Sequence, residues 1–62
     1  MSDLKRVLII DDHALVRKGI FTALDQRGGF EVYEAASKAE AMAAIATYNP
    51  QLLIVDINLP DG

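Results

Sequence analysis

Two runs of four consecutive branched apolar residues constrain this chain more than anything else in it: Val7-Leu8-Ile9-Ile10 and Leu52-Leu53-Ile54-Val55. A strand with one face in water alternates apolar and polar residues. A run without alternation reads as a strand covered on both faces, the habit of parallel sheets. Each run ends on carboxylates, the first on Asp11-Asp12 and the second on Asp56. The first strand is read over residues 6–10 and the third from Leu52 to Asp56.

Between the two runs the pattern changes period. Val16, Ile20, Ala23 and Leu24 recur at helical spacing, so residues 13–27 read as an amphipathic helix that Asp12 can cap, beside its place among the acids. Gly28-Gly29 stops that helix, because glycine takes a left-handed conformation without steric cost. It is not a phosphate loop, since the G-x-G-x-x-G spacing is missing. Residues 30–36 read as a second strand, made more polar by Glu31, Tyr33 and Glu34. Ser37-Lys38-Ala39-Glu40 has the form of a capping box. It opens a second helix whose buried stripe is expected to hold Ala41, Met42, Ile45 and Ala46, with Met42 as core packing. Asn49-Pro50 ends it.

The alternation βαβαβ calls for a parallel sheet. The first strand is apolar on both faces and suits the middle; the polar second strand suits an edge. The expected order is therefore 2-1-3, with right-handed crossovers placing the helices on opposite faces. That order puts the carboxyl ends of strands 1 and 3 side by side, at the point where the direction of winding reverses and ligands bind. Asp11, Asp12 and Asp56 should meet there. Three clustered carboxylates raise one another's pKa and invite a cation. A hard cation such as Mg²⁺ accepts one or two carboxylates together with phosphate and water. With the charge balanced, one carboxylate can act as a nucleophile on phosphorus. His13 is read as a surface residue at the helix start rather than a ligand.

At 62 residues with no cysteine, the chain is one small unit without a disulfide or thiolate staple. A unit of this size buries roughly 60% of its unfolded surface. Its core rarely supplies more than ~3–5 kcal/mol. The hydrophobic fraction of 52% excludes a disordered composition. A net charge of −3 without a Lys/Arg cluster argues against nucleic-acid binding by this segment. Neither a signal peptide nor a membrane span is legible, and the reading is a soluble cytoplasmic protein.

Val7-Leu8-Ile9-Ile10-Asp11-Asp12-His13, followed by Leu15-Val16-Arg17-x-Gly19-Ile20, resembles the opening of receiver domains in two-component response regulators, in particular those attached to helix-turn-helix transcription regulators. Asn49-Pro50-x-Leu52-Leu53-Ile54-Val55-Asp56-x-x-Leu59-Pro60-x-Gly62 resembles their phosphoacceptor segment, with Gln51 where the family often has Asp. The resemblance implies a flavodoxin-like, doubly wound fold of which residues 1–62 supply the first three strands and two helices. It implies Asp56 as phosphoacceptor, Asp11 and Asp12 as acids of the Mg²⁺ site, and the backbone carbonyl of Asn58 as a further ligand. A sensor histidine kinase or phosphotransfer protein is the implied partner. A complete receiver resembles five βα units. The Ser/Thr and Lys that normally contact the phosphoryl group belong to its second half, so weak activity or none is expected of these 62 residues alone.

An enzyme is not expected. Phosphatases with an aspartyl intermediate resemble Asp-x-Asp-x-Thr after the first strand, and Asp11-Asp12-His13-Ala14-Leu15 does not fit. The competing reading is a self-associating half-domain. Strand 3 is apolar on both faces, and two copies could pair it antiparallel about a two-fold axis, giving a homodimer with order 2-1-3-3-1-2.

Overall fold

A computed structural model describes residues 4–56. The elements follow as β1 (Lys5–Ile10), α1 (Ala14–Arg27), β2 (Phe30–Ala35), α2 (Lys38–Tyr48) and β3 (Leu52–Val55). The sheet has the order β2-β1-β3, with both pairings parallel. This is the expected topology. In register, Leu8 lies between Tyr33 and Leu53, Ile9 between Glu34 and Ile54, and Ile10 between Ala35 and Val55.

Side chains alternate across the sheet. Leu8 and Ile10 point to one face, where they form the core with Ala35 and Ala41, flanked by Tyr33 and Ala44. That is the α2 side. Val7 and Ile9, also fully buried, therefore point to the α1 side. Two crossovers of one hand, leaving the middle strand in opposite directions, produce this sandwich.

The helix faces differ from the sequence reading. Along α1 the partly buried residues are Arg17, Ile20, Phe21 and Leu24, while Val16 and Ala23 are exposed. The packed stripe is thus rotated toward Arg17, whose side chain is largely shielded and bonds its guanidinium to Glu34 (3.1 Å) and to the Asp11 carbonyl (2.6 Å). Along α2 only Ala41 is buried and Ala44 partly so. Met42, expected in the core, is 63% exposed, and Ile45 and Ala46 are exposed as well. Small alanines let α2 lie close on β1 and β2, and the bulky residues are left at its flank.

The caps are also shifted. Asp12 does not cap α1; the N-cap is His13, without a side-chain cap bond. Ser37 caps α2 as expected, accepting the Glu40 amide at 3.2 Å. Glu40 reaches back one residue further than a standard capping box, to the Ala36 amide at 2.9 Å. Asn49 ends α2 in the left-handed conformation (φ 51, ψ 58), which a short polar side chain tolerates.

Below the sheet, Arg6 ties three elements together. Its guanidinium donates to the Tyr48 carbonyl (3.0 Å) and to Glu31 (3.2 Å). Its amide donates to the Gln51 side chain (3.0 Å), and the Gln51 amide returns a bond to the Arg6 carbonyl (2.9 Å). Tyr33 and Tyr48 stack beside this clamp with ring centroids 3.8 Å apart. Gln51 therefore pins the start of β3 to β1.

Candidate functional site

The opposite end of the sheet carries the acids, and the backbone ladders place them. The Asp11 amide continues the β1–β2 ladder by donating to the Ala35 carbonyl at 3.0 Å. The Asp56 amide continues the β1–β3 ladder by donating to the Ile10 carbonyl at 2.8 Å. These two bonds fix Asp11 and Asp56 as neighbours on adjacent strand ends. Asp12 follows on the turn into α1. Ligand atoms of Asp11, Asp12, His13 and Asp56 all lie within 4.8 Å of one another. The three aspartates singled out in the sequence are thus brought together. Asn58 lies outside the described residues, as do Leu59, Pro60 and Gly62.

His13 stands exposed at the helix start, as read, and its ring also reaches the aspartates. Its side chain is 65% exposed, yet Nδ1 stands 3.1 Å from Asp11 Oδ1, 3.0 Å from Asp12 Oδ1 and 3.7 Å from Asp56 Oδ2. The Asp11 carboxylate also accepts the His13 amide at 2.8 Å, closing a tight turn between β1 and α1. The only hint in the sequence is adjacency: a histidine directly after two acids, on a turn that must reverse over the strand ends. Arg17 was likewise missed. Its i+4 spacing from His13, facing Glu34 on a strand otherwise bordering the core, is the signal that could have found it.

The electrostatics differ from a bare acid cluster. The hydrogen bond donated by the His13 backbone amide holds the Asp11 carboxyl below the usual carboxylate range, and the imidazole adds to this against the opposing effect of burial. Mutual repulsion therefore does not dominate at Asp11, where a raised pKa was expected. The hydrogen bond to Asp11 raises the His13 pKa, and the charge of Asp12 reinforces it. The donor set is three carboxylates on a solvent-open rim, chemistry suited to a hard divalent cation. No helix among the described residues is long and apolar enough to cross a membrane.

Residues 7–62 match the family model of the response regulator receiver domain. Among curated proteins, the chain is 41% identical over 56 residues to a protein-glutamate methylesterase/protein-glutamine glutaminase of Rhodospirillum rubrum, covering 90% of this chain and 15% of that protein. It is 40% identical over 58 residues to the DNA-binding transcriptional activator DevR/DosR of Mycobacterium tuberculosis, and 36% identical over 58 residues to the oxygen regulatory protein NreC of Staphylococcus aureus. Each of these last two matches covers 92% of this chain and 27% of the relative. The chain thus spans about a quarter or less of the curated relatives it matches. What the relatives share with it is the segment that builds β1, α1, β2, α2 and β3. With the match running from Val7, the first buried residue of β1, to Gly62, the chain belongs to the response regulator receiver domain family.

Proposed function

We propose that this segment is the phosphoacceptor half of a two-component receiver, in which Asp56 takes a phosphoryl group from a sensor histidine kinase or a phosphotransfer protein. The observation that carries the reading is the convergence of Asp56 with Asp11 and Asp12 at the carboxyl ends of β3 and β1. A carboxylate oxygen of Asp56 attacks phosphorus, the bond from phosphorus to the donor's imidazole nitrogen breaks, and that nitrogen keeps the electron pair and picks up a proton. Asp11 and Asp12, with Asp56 and the backbone carbonyl of Asn58, are the residues proposed to hold Mg²⁺. When bound, that ion neutralises charge on the phosphoryl oxygens. The chain's own task is placement. The ladder bond from the Asp56 amide to the Ile10 carbonyl fixes the nucleophile, and the turn held by Asp11 and the His13 amide fixes the facing acids. Phosphoryl transfer depends mostly on such positioning and charge compensation. The reading involves no enzymatic turnover of a separate substrate; the methylesterase name belongs to a relative of which this chain covers 15%.

Calorimetric titration with Mg²⁺ and acetyl-phosphate labelling read by intact mass test the proposal. Mg²⁺ should bind the 62-residue chain weakly and lose most of that affinity in Asp11→Asn. Asp56→Asn should abolish labelling in a receiver that carries this segment. The segment alone should label ~10²–10³ times more slowly for each electrostatic contact it lacks. Equal Mg²⁺ binding by the parent chain and Asp11→Asn, or labelling that survives Asp56→Asn, rejects the assignment.

A second reading concerns assembly, and the exposure of β3 favours it. Leu53 and Val55 lie on the α2 side of the sheet, where Met42 and Ile45 are also exposed. Covering this ledge and the outer edge of β3 with a second copy, strand against strand, would pair backbone groups and remove apolar surface from water. Sedimentation equilibrium at micromolar concentration reads the outcome: a homodimer is expected, and a cooperatively folded monomer excludes it.

A further inference from the structure

We propose that Arg17 is a positioning residue for the acid pair: its guanidinium, anchored on Glu34, holds the peptide unit that joins Asp11 to Asp12 and so sets how their carboxylates stand to one another. The inference rests on the reading of Asp11, Asp12 and Asp56 as the phosphoryl-transfer site, and names what keeps two of its acids in place. It adds no ligand to that site.

The peptide between Asp11 and Asp12 lies just past the end of β1. The Asp11 amide is still in the ladder, donating to the Ala35 carbonyl at 3.0 Å. β2 stops at Ala35, before the amide that would continue the ladder to the Asp11 carbonyl, and Ser37 caps α2 instead. Asp11 is buried, and a buried backbone carbonyl needs a donor. Arg17 Nη1 supplies it at 2.6 Å. That donor is itself held. Arg17 Nε stands 3.1 Å from Glu34 Oε1, and the Arg17 side chain is largely shielded. Glu34 is the register partner of Ile9, so it stands on the α1 face of the sheet. The Arg17 amide donates to the His13 carbonyl at 3.0 Å, in the first turn of α1. One planar group with its donors in a fixed fork thus joins α1, β2 and the turn between β1 and α1. Neither guanidinium bond uses a carboxylate of the acid cluster. If the Asp11 carbonyl swings, Asp12 moves with it while the Asp11 amide stays in the ladder. A misplacement of about 1 Å from a change outside the reacting groups can cost on the order of 10²-fold in rate.

The test uses a receiver that carries this segment, with Arg17→Lys, Glu34→Gln and Glu34→Ala, each checked for its fold by circular dichroism. Arg17→Lys keeps the charge but has a single nitrogen, which does not reproduce the fork that serves Glu34 and the Asp11 carbonyl together. With no cation added, the amide nitrogen resonance of Asp12 reads the bond made to the carbonyl of its own peptide unit. It should move in Arg17→Lys and Glu34→Ala and stay in place in Glu34→Gln, which keeps an acceptor for Nε. Mg²⁺ affinity by calorimetry should fall about tenfold in the first two and remain within about twofold in Glu34→Gln. An equal fall in Glu34→Gln and Glu34→Ala would assign the effect to charge and overturn the proposal. Lower thermal stability with the Asp12 resonance and Mg²⁺ affinity unchanged also overturns it and leaves Arg17 a packing residue. If Arg17→Lys does not fold, the same two readouts in Glu34→Ala decide. A parent receiver that binds no Mg²⁺ removes the reading of the acids and this inference with it; unaltered variants of a parent that does bind remove the inference alone.

Discussion

β1 and β3 are nearly interchangeable as sequences and opposite in circumstance. Val7, Leu8, Ile9 and Ile10 are 0–4% exposed, whereas Leu52, Leu53 and Val55 are 44–50% exposed. Both runs are apolar on both faces, both form parallel ladders, and both end in aspartate. The difference is neighbours. β1 has a strand on each side and the helices packed above and below it, while β3 has β1 on one side. An apolar run therefore states what a strand requires, and the rest of the molecule decides whether it is met. The candidate site straddles this divide. Asp11 and Asp12 issue from the buried strand, and Asp56 issues from the half-covered one.

The sharpest way to break the comparison is to remove the same side chain from both strands. Leu8 and Leu53 are register partners. Leu8→Ala should cost ~2–5 kcal/mol, comparable with everything a core this small provides, and leave the chain largely unfolded. Leu53→Ala, removing a half-exposed side chain, should cost about 1 kcal/mol. Urea denaturation followed by circular dichroism measures both. Equal losses would mean that Leu53 is buried in solution, and so that β3 has found a cover.

A charge on β3 probes that cover directly. Ile54 is the most shielded residue of β3, on the α1 side opposite Ile9. Ile54→Asp should cost about 1–3 kcal/mol, as a polar group set among apolar neighbours without a partner does. If two copies pair through β3, dissociation and unfolding should coincide. Sedimentation and circular dichroism on the same samples would show otherwise if monomers appear with their helices intact.

A smaller effect is expected at the other end of β3. Gln51→Ala removes the acceptor for the Arg6 amide and leaves the return bond to the Arg6 carbonyl in place. A loss of ~0.5–1.5 kcal/mol is expected, and faster hydrogen exchange at Arg6 should accompany it while Asp11, on the β2 side, keeps its protection. Unchanged exchange at Arg6 would show that the side-chain bond does not form in solution.

The same contrast explains what could be read from the residues alone. The order 2-1-3 was legible because Glu31 and Glu34 mark β2 as an edge while Val7 to Ile10 leave no polar face anywhere. The meeting of Asp11, Asp12 and Asp56 then followed from topology. The helix faces were not legible. Val16, Met42 and Ile45 look like core by residue type, but Arg17 on α1 and Ala41 and Ala44 on α2 take the shielded positions, because a long charged side chain can cover apolar surface with its stem and a small one brings backbones close. The contact of the His13 ring with the acids was not legible for a related reason: spacing along the chain places its Cα at the helix start but not the direction of the ring, which meets the Asp11 carboxylate across the turn.

Leu15 tests whether exposure always means an unmet requirement. It is 83% exposed, more than any residue of β3, yet it lies at the start of α1, two residues after His13. Leu53 is exposed at a position where sheet neighbours are expected; Leu15 is exposed where the chain turns away from the acids. The resemblance to receiver domains implies that a phosphoryl donor meets this helix start, where Gly19 and Thr22 are also exposed along α1. Leu15→Asp in a receiver carrying this segment should change stability by no more than ~0.5 kcal/mol, as surface substitutions do. It should slow phosphoryl transfer from the kinase severalfold while labelling by acetyl phosphate, which needs no docking surface, proceeds at its original rate. Parallel loss of both rates would make Leu15 part of the structure of the site. Unchanged rates in both would leave it a solvated leucine, and the kinase would have to approach from another face.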